Sequence, residues 1–344
     1  MSIPVVITGV GVVHASAIGG ADALAGALSA TAPDLRPIDA LPEDLIDETE
    51  LRRLSRVCQL AVAAGRLAVA DAGVEPGAAL GLIVGTEFGD FSSTRAFADG
   101  FLKAGPAGLS ALQFPNTVMN TMAAATTIAL TARSSSLTLN ARVVAGELAL
   151  ARAAAAIAAG RARTLIAGGV DQVEPLVAEA LPALGEPAVE GEGATFLVLE
   201  SGDSARARGA RVLARIAGTA SRALAARPHG VGRHDGSRAI PAALQAAGLD
   251  AGAIGWVYDS ASGDAVRDAW QARLLARALA PAEPLRASLR SRLGAHAGVS
   301  AMGLAAAAWT TGSGHLPWRG AAARGPGLVY GLARGGTEVA LVVR

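Results

Sequence analysis

The sequence has very few of the residues that staple a chain or charge its surface. Its single cysteine, Cys58 in 344 residues, excludes an intramolecular disulfide framework and suits a reducing cytoplasm. Its single lysine, Lys103, and a formal net charge of +1 leave no polyanion footprint, so nucleic acid is not an expected partner. Only 3% of residues are aromatic, so small side chains must pack closely, as in dense helix-on-sheet layers. Long apolar runs are missing too. The longest uncharged stretch, Ala104 to Ala132, is interrupted by Gly105, Pro106, Gln113, Pro115, Asn116 and Asn120. It is expected to be buried by protein at a subunit interface rather than in a membrane. The opening MSIPVVITGVGVV has no basic n-region, so no signal peptide is expected.

What is present alternates between strand and helix patterns. Val5 to Val13 is a β-branched run with glycines, and Ala79 to Gly85 reads as a second buried strand. Leu51 to Gly73 repeats apolar residues every three or four positions, the spacing of one amphipathic helix ending at Gly73. A short strand at Ser136 to Leu139 runs straight into a helix over about Val143 to Ala159. Strands at Thr164 to Gly169, Thr195 to Glu200 and Val212 to Gly218 follow. The alternation continues with a helix at Ala239 to Ala247, a strand at Ile254 to Asp259 and a helix at Ala265 to Ala278. It closes with a helix at Val299 to Thr311 and strands at Gly327 to Tyr330 and Val339 to Val342. Such a pattern implies an α/β layered fold. The opening strands of the two halves are alike in kind, so an internal duplication dividing the chain into 1–204 and 205–344 is expected. Ala225 to Ser237 and Leu279 to Leu285 read as loops.

Common catalytic constellations are missing. Gly9-Val-Gly11 follows a strand, but His14 occupies the third glycine position of a dinucleotide fingerprint and no acidic residue follows at the required distance. There is no phosphate-binding G-x-x-x-x-G-K-[ST] loop and no G-x-S-x-G elbow. None of His14, His229, His234, His296 and His315 forms an HExxH pair or takes metal-ligand spacing, so neither metal nor cofactor is expected. His229 and His234 lie in an arginine-rich loop and are expected in solvent. Cys58, on the apolar face of a helix, is expected to be a buried, inert thiol.

Taken in order, these pieces resemble the β-ketoacyl synthases of the thiolase superfamily almost end to end. The resemblance rests on the opening VVITGVGVV, Phe114-Pro-Asn116, Ala167-Gly-Gly-Val-Asp171, Gly191-Glu-Gly-Ala194 with the strand after it, and Gly335-Gly-Thr337. It implies a thiolase fold, layered αβαβα, with two similar βα halves. In that family a cysteine at a helix N-terminus takes the acyl chain, and two histidines support decarboxylation and the developing enolate charge.

Against the family's motifs, Val143 stands at the nucleophile position, Ser260 at the first histidine and Ser291 at the second. Arg286 replaces the lysine, Arg334 the gating phenylalanine, and His296 is offset by one inserted residue. No catalytic residue is therefore expected. The departure resembles the chain-length factors (KSβ) of type II polyketide synthases, and the shortness between Val173 and Glu190 resembles those of polyene-forming systems. The resemblance implies a heterodimer with an active ketosynthase, service to an acyl carrier protein through that complex, and a tunnel shaped at the interface. Its matching residues are Phe88, Gln113, Phe114, Val118 and Met119. Arg142, at the start of a helix, is expected to need a carboxylate partner, with Glu147 the candidate. Two other readings stay open: a malonyl-carrier-protein decarboxylase or acyltransferase using a residue such as Ser260, and a homodimeric binder of acyl chains.

Overall fold

The computed structural model describes residues 3–30, 35–187, 191–318 and 320–344. The first two residues of the opening segment, and residues 188–190 at the end of the short segment, lie outside them. The strands are β1 (Val5–His14), β2 (Ala17–Gly19), β3 (Gly81–Thr86), β4 (Ser136–Asn140), β5 (Thr164–Asp171), β6 (Gly193–Ser201), β7 (Ala214–Ala223), β8 (Trp256–Asp259), β9 (Leu285–Ser288), β10 (Gly327–Leu332) and β11 (Thr337–Val343). The helices are α1 (Ala21–Ser29), α2 (Glu48–Arg53), α3 (Arg56–Ala72), α4 (Phe91–Ala104), α5 (Thr121–Ala129), α6 (Ala145–Ala158), α7 (Pro175–Ala183), α8 (Gly202–Ala207), α9 (Ala239–Ala247), α10 (Ala265–Leu279), α11 (Arg290–Leu293) and α12 (Ala297–Ser313).

All the strands join one sheet in the order β4-β3-β5-β6-β1-β7-β11-β10-β8-β9, with β2 folded back on β1. The order is symmetric about the β1–β7 boundary. On one side β3 pairs in parallel with β4 and β5, and β5 and β1 both pair antiparallel with β6. On the other, β8 pairs in parallel with β9 and β10, and β10 and β7 both pair antiparallel with β11. The same connectivity thus occurs twice. α8 bridges the two runs, and a division between residues 204 and 205 would fall inside it.

Helices cover the sheet in layers. α6 and α12 pack on each other and on strands of both halves, forming a shared middle layer. Outside lie α3 and α5 over the first half and α9 and α10 over the second, each with its own apolar cluster. Small residues make the middle layer possible. A β-carbon added at Gly146 would stand 2.4 Å from the Ala301 nitrogen, and at that crossing the Gly146 N–H donates to Ser300 Oγ at 2.8 Å.

One expectation needs correction. The single helix expected over Leu51 to Gly73 is two, α2 and α3. Leu54 and Ser55 are extended between them, and Asp47 with Glu50 forms a capping box that starts the first. The uncharged stretch Ala104 to Ala132, expected at a subunit interface, is largely exposed on the single chain. An inner face of α5, with Met122, Ala123 and Thr126, and Leu130 just after it reach the core; Leu112 is 90% and Ile128 78% exposed. Among the described residues no helix is long and apolar enough to cross a membrane.

Candidate functional site

β4 ends at Asn140, four residues turn, and α6 begins at Ala145. Asn140 Nδ2 anchors the end of the strand by donating to the carbonyls of Thr86 (3.2 Å) and Glu87 (3.0 Å). In the turn, Val143 has φ of +69°. A β-branched side chain is poorly tolerated in the left-handed region, so the surroundings must hold it there. A sharp strand-to-helix turn with one strained residue is the geometry that presents a nucleophile at a helix N-terminus. Here the presented side chain is an isopropyl group.

Val143 lines a cavity of about 300 Å³ whose wall carries seven charged side chains among apolar ones. Arg142 Nε donates to Glu87 Oε2 at 3.2 Å, its Nη2 lies 3.0 Å from Glu186 Oε2, and its guanidinium stacks 4.9 Å above the Phe88 ring. This corrects the expected pairing with Glu147, which lies in the first turn of α6, turned into the core. Arg334, from the β10–β11 turn, bonds Asp264 through Nε (2.5 Å) and Nη2 (2.8 Å). Asp264 also caps α10 by accepting from the Arg267 N–H. Arg267, fully buried, donates to the Ser260 carbonyl, Ser262 Oγ and Asp268. Arg290 donates to the Val143 carbonyl and lies 3.8 Å from Glu87 Oε1.

Two buried carboxyls support this wall. Asp171, at the end of β5, accepts from Thr86 Oγ1, the backbone N–H groups of Glu87 and Phe88, and the Ala297 N–H that starts α12. It thereby ties three elements together behind the cavity. Burial, and next the nearby charge of Glu87, raises its pKa. Burial likewise pushes Glu147 up to about 7, although Arg290 acts in the opposite sense.

The sequence-derived positions are not all gathered here. Ser260 is buried just past β8, where its Oγ donates to Gln271 Oε1 at 2.5 Å and accepts from the Leu332 N–H at 3.0 Å; it does not line the cavity. Ser291 is exposed on α11, and its neighbour Arg290 turns inward instead. Arg286 bonds Asp259 at 2.8 Å. His296 is buried outside the cavity, stacked on His14 with ring centroids 6.0 Å apart, and burial holds its pKa well below the usual imidazole value. Cys58 is buried with its thiol pKa raised by burial. His234 is exposed; His229 is also exposed but stands at the cavity rim, 3.7 Å from Glu186.

Phe88 and Met119 sit near the cavity end of β4, Met119 Sδ lying 3.8 Å from Asn140 Nδ2. Gln113, Phe114 and Val118 are exposed beyond them, and none of the five lines the cavity. Phe114, Val118 and Met119 are exposed apolar side chains, as are Leu109, Leu112, Ile128 and Leu137 of β4, the edge strand. Sequence reasoning missed Glu87, Asp264, Arg267 and Arg290. The one signal available was the dense run of arginines at 286, 290 and 292.

Residues 39–189 match the family profile of the β-ketoacyl synthase N-terminal domain. The 3-oxoacyl-[acyl-carrier-protein] synthase 2 of Vibrio cholerae is 26% identical over 270 residues, 70% of this chain and 64% of the relative. Nodulation protein E of Rhizobium meliloti is 30% identical over 252 residues, 67% of this chain and 62% of the relative. The chain thus spans under two thirds of the length of these curated relatives. Among solved structures, the ishigamide ketosynthase/chain length factor superposes with a TM-score of 0.88 at 23% identity, over 100% of this chain and 99% of that one. A second, the type II polyketide acyl-carrier protein AntF in complex with its ketosynthase AntDE, gives 0.83 at 19% identity, over 100% of both chains. The expected thiolase-like ketosynthase fold is therefore present along the whole chain.

Proposed function

We propose that this chain, which has the ketosynthase fold and sequence relatives among the β-ketoacyl synthases, is a non-catalytic chain-length-factor subunit. It pairs with an active ketosynthase and shapes the tunnel that receives a growing polyketide chain from an acyl carrier protein. The carrying observation is the elbow before α6. Its backbone is strained at Val143, the residue that the family resemblance sets at the nucleophile position, and no cysteine lines the cavity. An isopropyl group can form no thioester, and the paired charges in the wall would lose solvation under an acyl chain.

The edge strand β4 and the apolar surface beside it support pairing. An unpaired edge flanked by exposed Leu, Ile, Phe and Met invites another chain. Obligate interfaces of this kind are large and apolar. Phe88, Gln113, Phe114, Val118 and Met119 would then meet the partner's acyl chain rather than a tunnel of this subunit's own. We place the complex in the cytoplasm, and its product among polyene-type chains.

Co-expression with an active ketosynthase tests the reading: a stable one-to-one complex that makes product only when both subunits are present is expected. Substituting Met119→Trp or Phe88→Ala should shift product length, since one methylene in an apolar pocket is worth roughly 1 kcal/mol. A homodimer that turns over malonyl-carrier protein alone would sink it.

A further inference from the structure

The wall of the cavity is not evenly neutralised. Arg142 has Glu87 and Glu186, Arg334 has Asp264, and Arg267 has Asp268, each within 3.2 Å. Arg290 has no such partner. Its side chain is 3% exposed, among the described residues its hydrogen bond goes to the Val143 carbonyl, and the nearest carboxylate oxygen, on Glu87, is 3.8 Å away. A guanidinium carries five N–H donors, and burying it this incompletely bonded is costly. Glu147, the other buried carboxyl near it, is held largely protonated below neutrality by its own burial and supplies little compensating charge there.

We propose that the cavity above Val143 is a binding site for a small oxyanion, a carboxylate or a phosphate-like group, with Arg290 as its principal ligand. The planar guanidinium fork matches two oxygens of such a group, and Val143 covers the base of the site with an apolar, unreactive surface. Arg334 and Arg142, at the rim, stay engaged with their carboxylates and contribute field rather than direct bonds. About 300 Å³ accommodates the anion. The inference does not depend on pairing with a ketosynthase, because every group it uses lies within this chain.

The test is calorimetric titration and thermal unfolding of the full chain with sodium sulfate and with sodium acetate, against sodium chloride at equal ionic strength. Sulfate or acetate should bind and raise the melting temperature above the chloride control. Arg290→Gln should weaken binding roughly tenfold or more, as expected for losing a charge-assisted bond. Arg290→Lys should keep part of it, and Arg152→Gln, on the exposed side of α6, all of it. Arg334→Gln, at the rim, should lower affinity by a smaller factor, so the site remains testable if Arg290→Gln folds poorly. Two further arms separate the sources. Binding of 4′-phosphopantetheine where pantetheine does not bind assigns the phosphate of a carrier's arm, whereas acetate displacing sulfate while both arms fail assigns a free anion. No response to either salt beyond chloride, or an undiminished response in Arg290→Gln, overturns the proposal.

Discussion

Two ends of β4 have opposite chemistry. Past its C-terminal end lies the cavity, with Val143 walled by ion pairs from five separate loops and turns. Along its open edge and over the adjoining Leu109 to Ile128 surface lie exposed apolar groups with few charges nearby. The first region is closed on itself: its carboxylates and guanidinium groups are mostly satisfied internally. The second is unsatisfied: its side chains and strand edge gain only when something covers them. The comparison teaches that a site can be held tightly while its elbow presents no nucleophile. The elbow at Val143 is strained and held, while the surface beside it is where binding energy remains to be gained.

The largest effect expected from this contrast is at the open edge. Leu137→Arg, on β4, should lower affinity for a ketosynthase partner by two orders of magnitude or so, the size of a central interface residue. The melting temperature of the isolated chain should hardly move, because Leu137 is 42% exposed. Equal losses of both would show that β4 matters to the fold rather than to the interface; pull-down and thermal unfolding read the two separately.

A smaller effect is expected behind the cavity. Burial raises the Glu147 pKa to about 7, above the ordinary carboxylate value. The folded chain therefore keeps a proton that the unfolded chain releases, and stability falls as pH rises from about 4.5 through 7. Glu147→Gln removes this penalty. The variant should be more stable than the parent by up to ~3 kcal/mol at pH 8, with the gain vanishing near pH 5. Asp171 shifts in the same direction, so some pH dependence should remain in the variant. Denaturant titrations at the two pH values check it; an equal gain at both would show that charge is not the cause.

The smallest effect is at the elbow itself. Val143→Gly removes a side chain from a left-handed position, where strain of order 1–3 kcal/mol is partly offset by the entropy that glycine loses on folding. A net gain of about 1 kcal/mol is expected, with no change in partner affinity. A loss of stability would mean that the isopropyl group's contacts outweigh the strain.

Much of the architecture was legible in the chain. The β-branched runs at β1, β3 and β6, the pattern of α3 and the direct passage from β4 into α6 all stand near where periodicity placed them. α4, α5 and α7 were not found, because their apolar residues face outward or are too few to make a period. The break at Leu54 and Ser55 was hidden, since the apolar spacing continues across it while a new cap begins.

For the site, sequence alone decided what chemistry is absent: no cysteine or lysine near the elbow, and a valine at the turn itself. Side-chain identity is local information, and a missing functional group cannot be restored by folding. Only the tertiary structure decided what fills the space instead. Arg290, Glu87, Asp264 and Arg334 come from positions up to about 250 residues apart, and their pairing depends on which loops the duplicated sheet brings to one end. The same holds for the uncharged stretch before β4. Its composition points inward, but the edge position of β4 turns it out, because a terminal strand has no neighbour to cover it.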